Sequence, residues 1–140
     1  MRTYNLFISY SWTYIWGFIE AYEDLVDFLD KESSFSYRNY FVSKDDPVHT
    51  NGTDEQLYNA IKDQISPSNV ILILVGVDIP YNKWVGKEID IAKNEFNPAK
   101  PILAIDPWRG KHTSSRIKDT ADKIVNWNAE SIVSAIREFA

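Results

Sequence analysis

Residues 69–75 read NVILILV, one polar residue followed by six aliphatic ones. A run this short falls far below the roughly 20 apolar residues of a membrane span. It suits a strand that is apolar on both faces, the kind found in the centre of a parallel sheet with helices on either side. Its flanks agree: Ser66-Pro67-Ser68 closes whatever precedes it, and Gly76 begins a loop. Two similar runs lie further out, Asn5–Tyr10 (NLFISY) and Pro101–Ile105 (PILAI), and read as further buried strands. Ser36–Val42 (SYRNYFV) alternates polar and aromatic residues, so a half-exposed strand at or near a sheet edge is expected. Lys123–Asn126 fits a short edge strand.

Helical stripes fill the intervals. Ile19, Tyr22, Leu25, Val26 and Leu29 recur at three-to-four spacing within Trp16–Lys31, with Glu20, Glu23, Asp24 and Asp27 opposite. Thr53 or Asp54 can cap a helix carrying Leu57, Ala60, Ile61 and Ile65. Trp84–Phe96 carries Val85, Ile89, Ala92 and Phe96, and Asn97-Pro98 stops it. Ser114–Ala121 reads as a weak helix. Asn128 or Ser131 opens a final one with Ile132, Val133, Ile136 and Phe139. Strands alternating with helices imply parallel pairing through right-handed crossovers. Five strands in 140 residues predict one domain over 1–140, an α/β flavodoxin-like three-layer sandwich with a five-stranded parallel sheet, order 2-1-3-4-5. Ligands of such sheets bind beyond the strand carboxyl ends, at the switch point between the first and third strands. The loops there are Ser9–Tyr14, Ser43–Gly52 and Gly76–Trp84.

Composition narrows the chemistry. There is no Cys, which excludes disulfides, thiolate metal sites and thiol catalysis. The five Gly (Gly17, Gly52, Gly76, Gly86, Gly110) form no phosphate-binding loop. A net charge of −5 argues against nucleic acid and anionic membrane as partners. No charged start followed by an apolar run is present, so a cytoplasmic protein is expected. A receiver domain would need an acidic pair after the first strand and an Asp closing the third. Here Ser9-Tyr10-Ser11 and Val75-Gly76-Val77 stand there instead. A flavin-binding relative would need a Ser/Thr/Gly-rich loop, of which Ser9, Ser11 and Thr13 are a faint echo.

Glu88 is the sharper feature. Its neighbours three and four positions away are Trp84, Val85, Ile91 and Ala92, all apolar, while Lys87, Asp90, Lys93 and Asn94 mark the solvent face. That places Glu88 at the border of the buried stripe. A carboxylate there is either bridged to a cation on another element or kept for a ligand. Glu95 equally lacks basic neighbours on its helix. The pair Asp45-Asp46 fits a solvated turn before Pro47 better than a metal site. His49 and His112 have no second ligand at metal spacing. Tyr10, Trp12, Tyr14 and Trp16 could form a stacking platform, but their spacing also fits packing at the first loop and helix start, which is the default reading. Trp108 and Trp127 are expected at the far sheet edge.

Seven segments together resemble the TIR-like (Toll/interleukin receptor-like) domains of bacteria, most closely the ThsB-like subgroup of Thoeris antiphage defence. They are FISYSW at 7–12, SKDDPVHT at 43–50, LYNAIKDQI at 57–65, VILILVG at 70–76, KWVGKEIDIA at 83–92, KPILAIDPW at 100–108 and DKIVNWN at 122–128. The resemblance covers essentially the whole chain, and the W-x-x-x-E pattern of Trp84 and Glu88 is its most informative local piece. It implies a flavodoxin-like fold and, for the enzymatic members, cleavage of NAD between nicotinamide and ribose by hydrolysis or cyclisation. NAD is then substrate, with no cofactor and no metal. It also implies a nucleotide product that acts on a partner effector protein, and self-assembly. By the same resemblance Glu88 is the catalytic carboxylate, and Trp84, Phe7, Ser9, Tyr10 and Ser11 belong to the nucleotide pocket. The loop after the second strand, with Lys44, Asp45 and Asp46, gates that pocket. Other members of the family are interaction modules without catalysis, the alternative reading for this chain. An oxocarbenium-like ribose formed on loss of nicotinamide is the kind of charge a lone carboxylate stabilises.

Overall fold

The computed structural model describes residues 2–9, 19–40, 52–74, 83–106 and 119–140. Five strands make one sheet: β1 (Thr3–Ile8), β2 (Ser36–Asn39), β3 (Val70–Leu74), β4 (Ile102–Asp106) and β5 (Lys123–Asn126). Their order is β2-β1-β3-β4-β5, and every neighbouring pair is parallel. The helices among the described residues are α1 (Ile19–Lys31), α2 (Asp54–Ile65), α3 (Lys83–Asn94) and α4 (Ala129–Phe139). The doubly wound arrangement expected from the alternation is therefore present. α2 packs beside α3 and α1 beside α4, one helix pair on each face of the sheet.

The aliphatic run sits where its composition places it. Val70, Ile71, Leu72 and Ile73 are fully buried in β3, flanked by β1 and β4. Leu6, Phe7 and Ile8 of β1 and Ile102 to Ile105 of β4 are buried beside them. Each such side chain gains about 1.5–3 kcal/mol over an exposed position. The outer strands differ as a half-wet edge requires. β2 has no buried residue, and in β5 only Val125 is buried while Ile124 is 43% exposed.

The helices start where their sequences supply acceptors. Thr53 is the α2 cap: its hydroxyl accepts from Gln56 N (3.1 Å), and Gln56 Oε1 accepts from Thr53 N (2.9 Å). Asn128 caps α4, accepting from Ser131 N at 2.8 Å, so both residues considered for that start take part. α3 ends at Asn94, two residues before the expected Phe96, whose ring still packs on the core. β2 ends at Asn39, and the expected continuation through Phe41 and Val42 lies outside the described residues, as do Trp16 to Phe18 and most of Ser114–Ala121. Trp127 follows β5 and meets Phe28 of α1 edge-on, ring centroids 5.1 Å apart. Trp108 lies outside the described residues. No described helix is long and apolar enough to cross a membrane.

Side chains tie the elements together at the amino ends of the strands. Asn69 Oδ1 accepts from Asn5 N (2.9 Å), and Asn5 Nδ2 donates to Pro67 O (3.1 Å). Asp122 Oδ2 accepts from Ile102 N (2.7 Å) and Lys93 Nζ (3.1 Å), fastening α3 and β4 to the start of β5. Arg137 of α4 donates to Ser34 O (3.0 Å) just before β2.

Candidate functional site

α3 follows β3, so its first turns lie on the carboxyl side of the sheet and its last turn on the amino side. Glu88 occupies the second turn and is 3% exposed, the one charged side chain among the buried residues described. At about 100° per residue, Ile91, Glu88, Ala92 and Ile89 follow one another round one side of α3. All four are buried. Glu88 therefore lies inside the buried arc and not at its border, a correction to the reading from spacing alone. The carboxylate interrupts the run of apolar letters, so periodicity counts it as an edge when it is part of the interior. The side chain is not isolated from its surroundings, although its Oε2 oxygen accepts no hydrogen bond from the described residues.

Glu95 resolves in the opposite way. It bridges to α2, with Lys62 Nζ 2.9 Å from Oε2 and the Tyr58 hydroxyl donating to Oε1 at 2.5 Å. Those hydrogen bonds, Tyr58 first, hold its carboxyl below the ordinary value. Tyr58 is pushed up to about 12, chiefly because its proton serves Glu95 and secondarily by desolvation. A glutamate without a basic neighbour on its own helix can thus be a helix–helix clasp. Glu95 is one, and it is partly exposed. Glu88 differs in depth, at 3% exposed.

Ser9 is the second polar residue on this side. It leaves β1 at its carboxyl end, donates its backbone N–H to Leu72 O (2.9 Å), and is fully buried. Its hydroxyl has no hydrogen-bond partner among the described residues. Such a group buried without a partner carries a cost of about 1–3 kcal/mol, which a ligand atom can relieve. Phe7 is 1% exposed within the sheet core, so its contact with a bound molecule would come through the packing that sets the course of β1. Trp84 belongs to the first turn of α3 by its backbone, and its side chain lies outside what is described. Tyr10, Ser11, Lys44, Asp45 and Asp46 lie outside the described residues, as do Trp12, Tyr14, His49 and His112. Among the described residues no three His, Cys, Asp or Glu gather into a metal-binding group.

One residue was not singled out by sequence. Asn39, the last residue of β2, accepts from Ile8 N through its side-chain Oδ1 at 3.2 Å. The available signal was a short amide residue at the end of a strand, where it can substitute for a backbone carbonyl. Carboxyl-side geometry is thus set by Ser9 and Asn39 around the end of β1, with Glu88 on the helix that follows β3.

Comparison with curated proteins gives no match. Among solved structures, the crystal structure of a prokaryotic SEFIR domain is similar to this chain with a TM-score of 0.50 and 18% identity. The match covers 96% of this chain and 94% of that one. At that identity the likeness speaks to the fold, which the two share. The family model described as the TIR-like domain of the Thoeris protein ThsB matches residues 7–112, well over half of the chain. The match runs from the end of β1 through β4 and includes the helix carrying Glu88, and on that basis the chain belongs to the ThsB TIR-like domain family.

Proposed function

We propose that this chain is an NAD-cleaving enzyme of antiphage defence, with Glu88 as its catalytic carboxylate. The observation that carries the reading is a glutamate 3% exposed among Ile89, Ile91 and Ala92, on the carboxyl side of a TIR-like sheet. In the proposed reaction the bond from ribose C1′ to the nicotinamide nitrogen breaks, and its electron pair leaves with nicotinamide. The ribose becomes oxocarbenium-like. An ionised Glu88 in a low-dielectric surround opposes that charge and orients the ribose hydroxyls. Water adding at C1′ gives ADP-ribose and a proton, and an internal nucleophile gives a cyclic product. Ser9, with its buried hydroxyl, contributes a contact to the nucleotide. Phe7, Tyr10, Ser11, Trp84, Lys44, Asp45 and Asp46 complete the proposed pocket and its gate. The product would then act on a separate effector protein.

Purified protein incubated with NAD, with nicotinamide followed by chromatography, tests this. Release by the wild type and its loss in Glu88→Gln are the expected results. Equal release by both would remove Glu88 from the chemistry. The second reading is a non-catalytic interaction module, and the exposed Ile124 on edge strand β5 favours it. It requires partner binding or self-association that survives Glu88→Gln and is weakened by Ile124→Lys.

A further inference from the structure

Parallel pairing of β1 and β2 puts Leu6 opposite Asn39, so Leu6 O receives Tyr40 N at 2.8 Å. Continued in the same register, the next rung would join Ile8 N to the Tyr40 carbonyl. The rung is made differently: Ile8 N donates to the Asn39 side chain at 3.2 Å. β2 therefore leaves the ladder one rung early without stranding the Ile8 amide. On its other side the same end of β1 remains in register, Ser9 N donating to Leu72 O at 2.9 Å. The end of β1 is thus held to β3 by backbone and to β2 by one amide side chain. Ile8 carries the bond to Asn39 and the next residue, Ser9, the bond to Leu72; the buried Ser9 hydroxyl has no hydrogen-bond partner among the described residues.

We infer that Asn39 is a positioning residue for nucleotide binding. Its amide oxygen fixes the end of β1, and through it the Ser9 hydroxyl, beside the switch point between β1 and β3 where a ligand enters, while β2 leaves the ladder on the other flank of β1. The inference rests on the reading of this site as an NAD-cleaving one. It assigns Asn39 to substrate affinity and leaves the charge stabilisation to Glu88.

Two measurements on the full chain test it, using Asn39→Ala, Asn39→Asp and Glu88→Gln. The first is amide exchange at Ile8, read by NMR and independent of catalysis. Asn39→Ala should speed it about tenfold, while Asn39→Asp, which keeps an acceptor oxygen, stays within about threefold of wild type. The second is the steady-state kinetics of nicotinamide release. Asn39→Ala should raise KM about tenfold with kcat within twofold, and Asn39→Asp should restore most of the loss. A residue that matters only for folding would lower the active fraction, and hence kcat, at unchanged KM. Unaltered Ile8 exchange in Asn39→Ala overturns the inference, as does faster exchange with unchanged KM or a loss confined to kcat. If wild type and Glu88→Gln release nicotinamide equally, the enzymatic reading falls. The exchange data then decide separately whether Asn39 holds the end of β1.

Discussion

Glu88→Gln separates a charge kept for chemistry from a charge kept for the fold. The side chain is 3% exposed, beside Ile91 and Ala92 with no exposure at all. Burying a carboxylate to that depth costs several kcal/mol of lost hydration, offset only by the groups that meet it. Gln preserves the length and an acceptor oxygen and removes the charge. Where the charge serves a reaction, its removal relieves part of the desolvation, and stability should stay level or rise by about 1–2 kcal/mol. Where the charge is half of a structural ion pair, removal strands the partner and costs about 3–5 kcal/mol. In a chain of 140 residues, 1 kcal/mol moves Tm by roughly 4 °C. The functional reading therefore expects a Tm between unchanged and about 8 °C higher, and the structural one a fall of about 12–20 °C. Thermal unfolding by calorimetry or circular dichroism distinguishes these, with nicotinamide release measured on the same preparations. A fall of more than about 10 °C in Glu88→Gln, with activity lost in proportion to folded protein, would refute the assignment. Glu95→Gln is the internal control, since that exposed carboxylate is a clasp to Lys62 and Tyr58 and should leave nicotinamide release intact.

Thr53→Ala removes the acceptor of the α2 capping box and should cost about 1 kcal/mol, read as a lower urea midpoint at constant slope. Leu72→Ala, at a fully buried site in the central strand, should cost about 2–5 kcal/mol in the same titration. Ile124→Ala, 43% exposed at the edge, should stay within about 0.5 kcal/mol. The Tyr58–Glu95 bond gives a pH dependence of known sign. Tyr58 is raised in the folded state to about 12, so its contribution is complete below about pH 10 and is lost as pH climbs through 12. Glu95 is lowered, so its contribution is present above the ordinary carboxylate value and fades as pH falls through its folded value. Tyr58→Phe should flatten the alkaline stability profile and remove the late-titrating phenol from an absorbance titration. An alkaline profile identical to wild type would disprove the clasp.

Much of the scaffold was legible because local rules and the global fold agree. NVILILV suits a central strand, and β3 is central. The alternation in SYRNYFV and the four residues Lys123–Asn126 announced two edges, which are β2 and β5. The site was legible in residue type and not in depth or partnership. Glu88 and Glu95 look alike in sequence, because each lacks a cation three or four positions away. What separates them comes from tertiary structure. Glu95 meets a tyrosine 37 positions distant on α2 and is partly exposed, whereas Glu88 is buried at 3% exposure. Asn39 was hidden for a related reason. Its amide acts only where β2 leaves β1, and no spacing rule states where two strands part.

The three buried polar side chains described, Ser9, Ser68 and Glu88, show how the molecule divides its two sheet edges. Ser68 stands before β3 on the amino side and donates to Gln64 O at 3.0 Å, closing the turn out of α2. It joins Asn5, Asn69, Lys93, Asp122 and Arg137, whose hydrogen bonds fasten helices and strand starts there. A polar group in that company is satisfied by the fold and stabilises it. Ser9 stands at the opposite end of β1 and is as deeply buried, yet its hydroxyl has no partner among the described residues. Folding alone gives no reason to bury a hydroxyl in that way, because alanine would fill nearly the same space without the penalty. Glu88, on the helix that follows β3, is the charged member of the three and is 3% exposed. The Ser9 hydroxyl, unpartnered among the described residues, therefore sets the carboxyl ends of the strands apart from the amino ends, where the polar side chains named above are tied into the fold. In a doubly wound sheet the carboxyl edge is where a ligand sits.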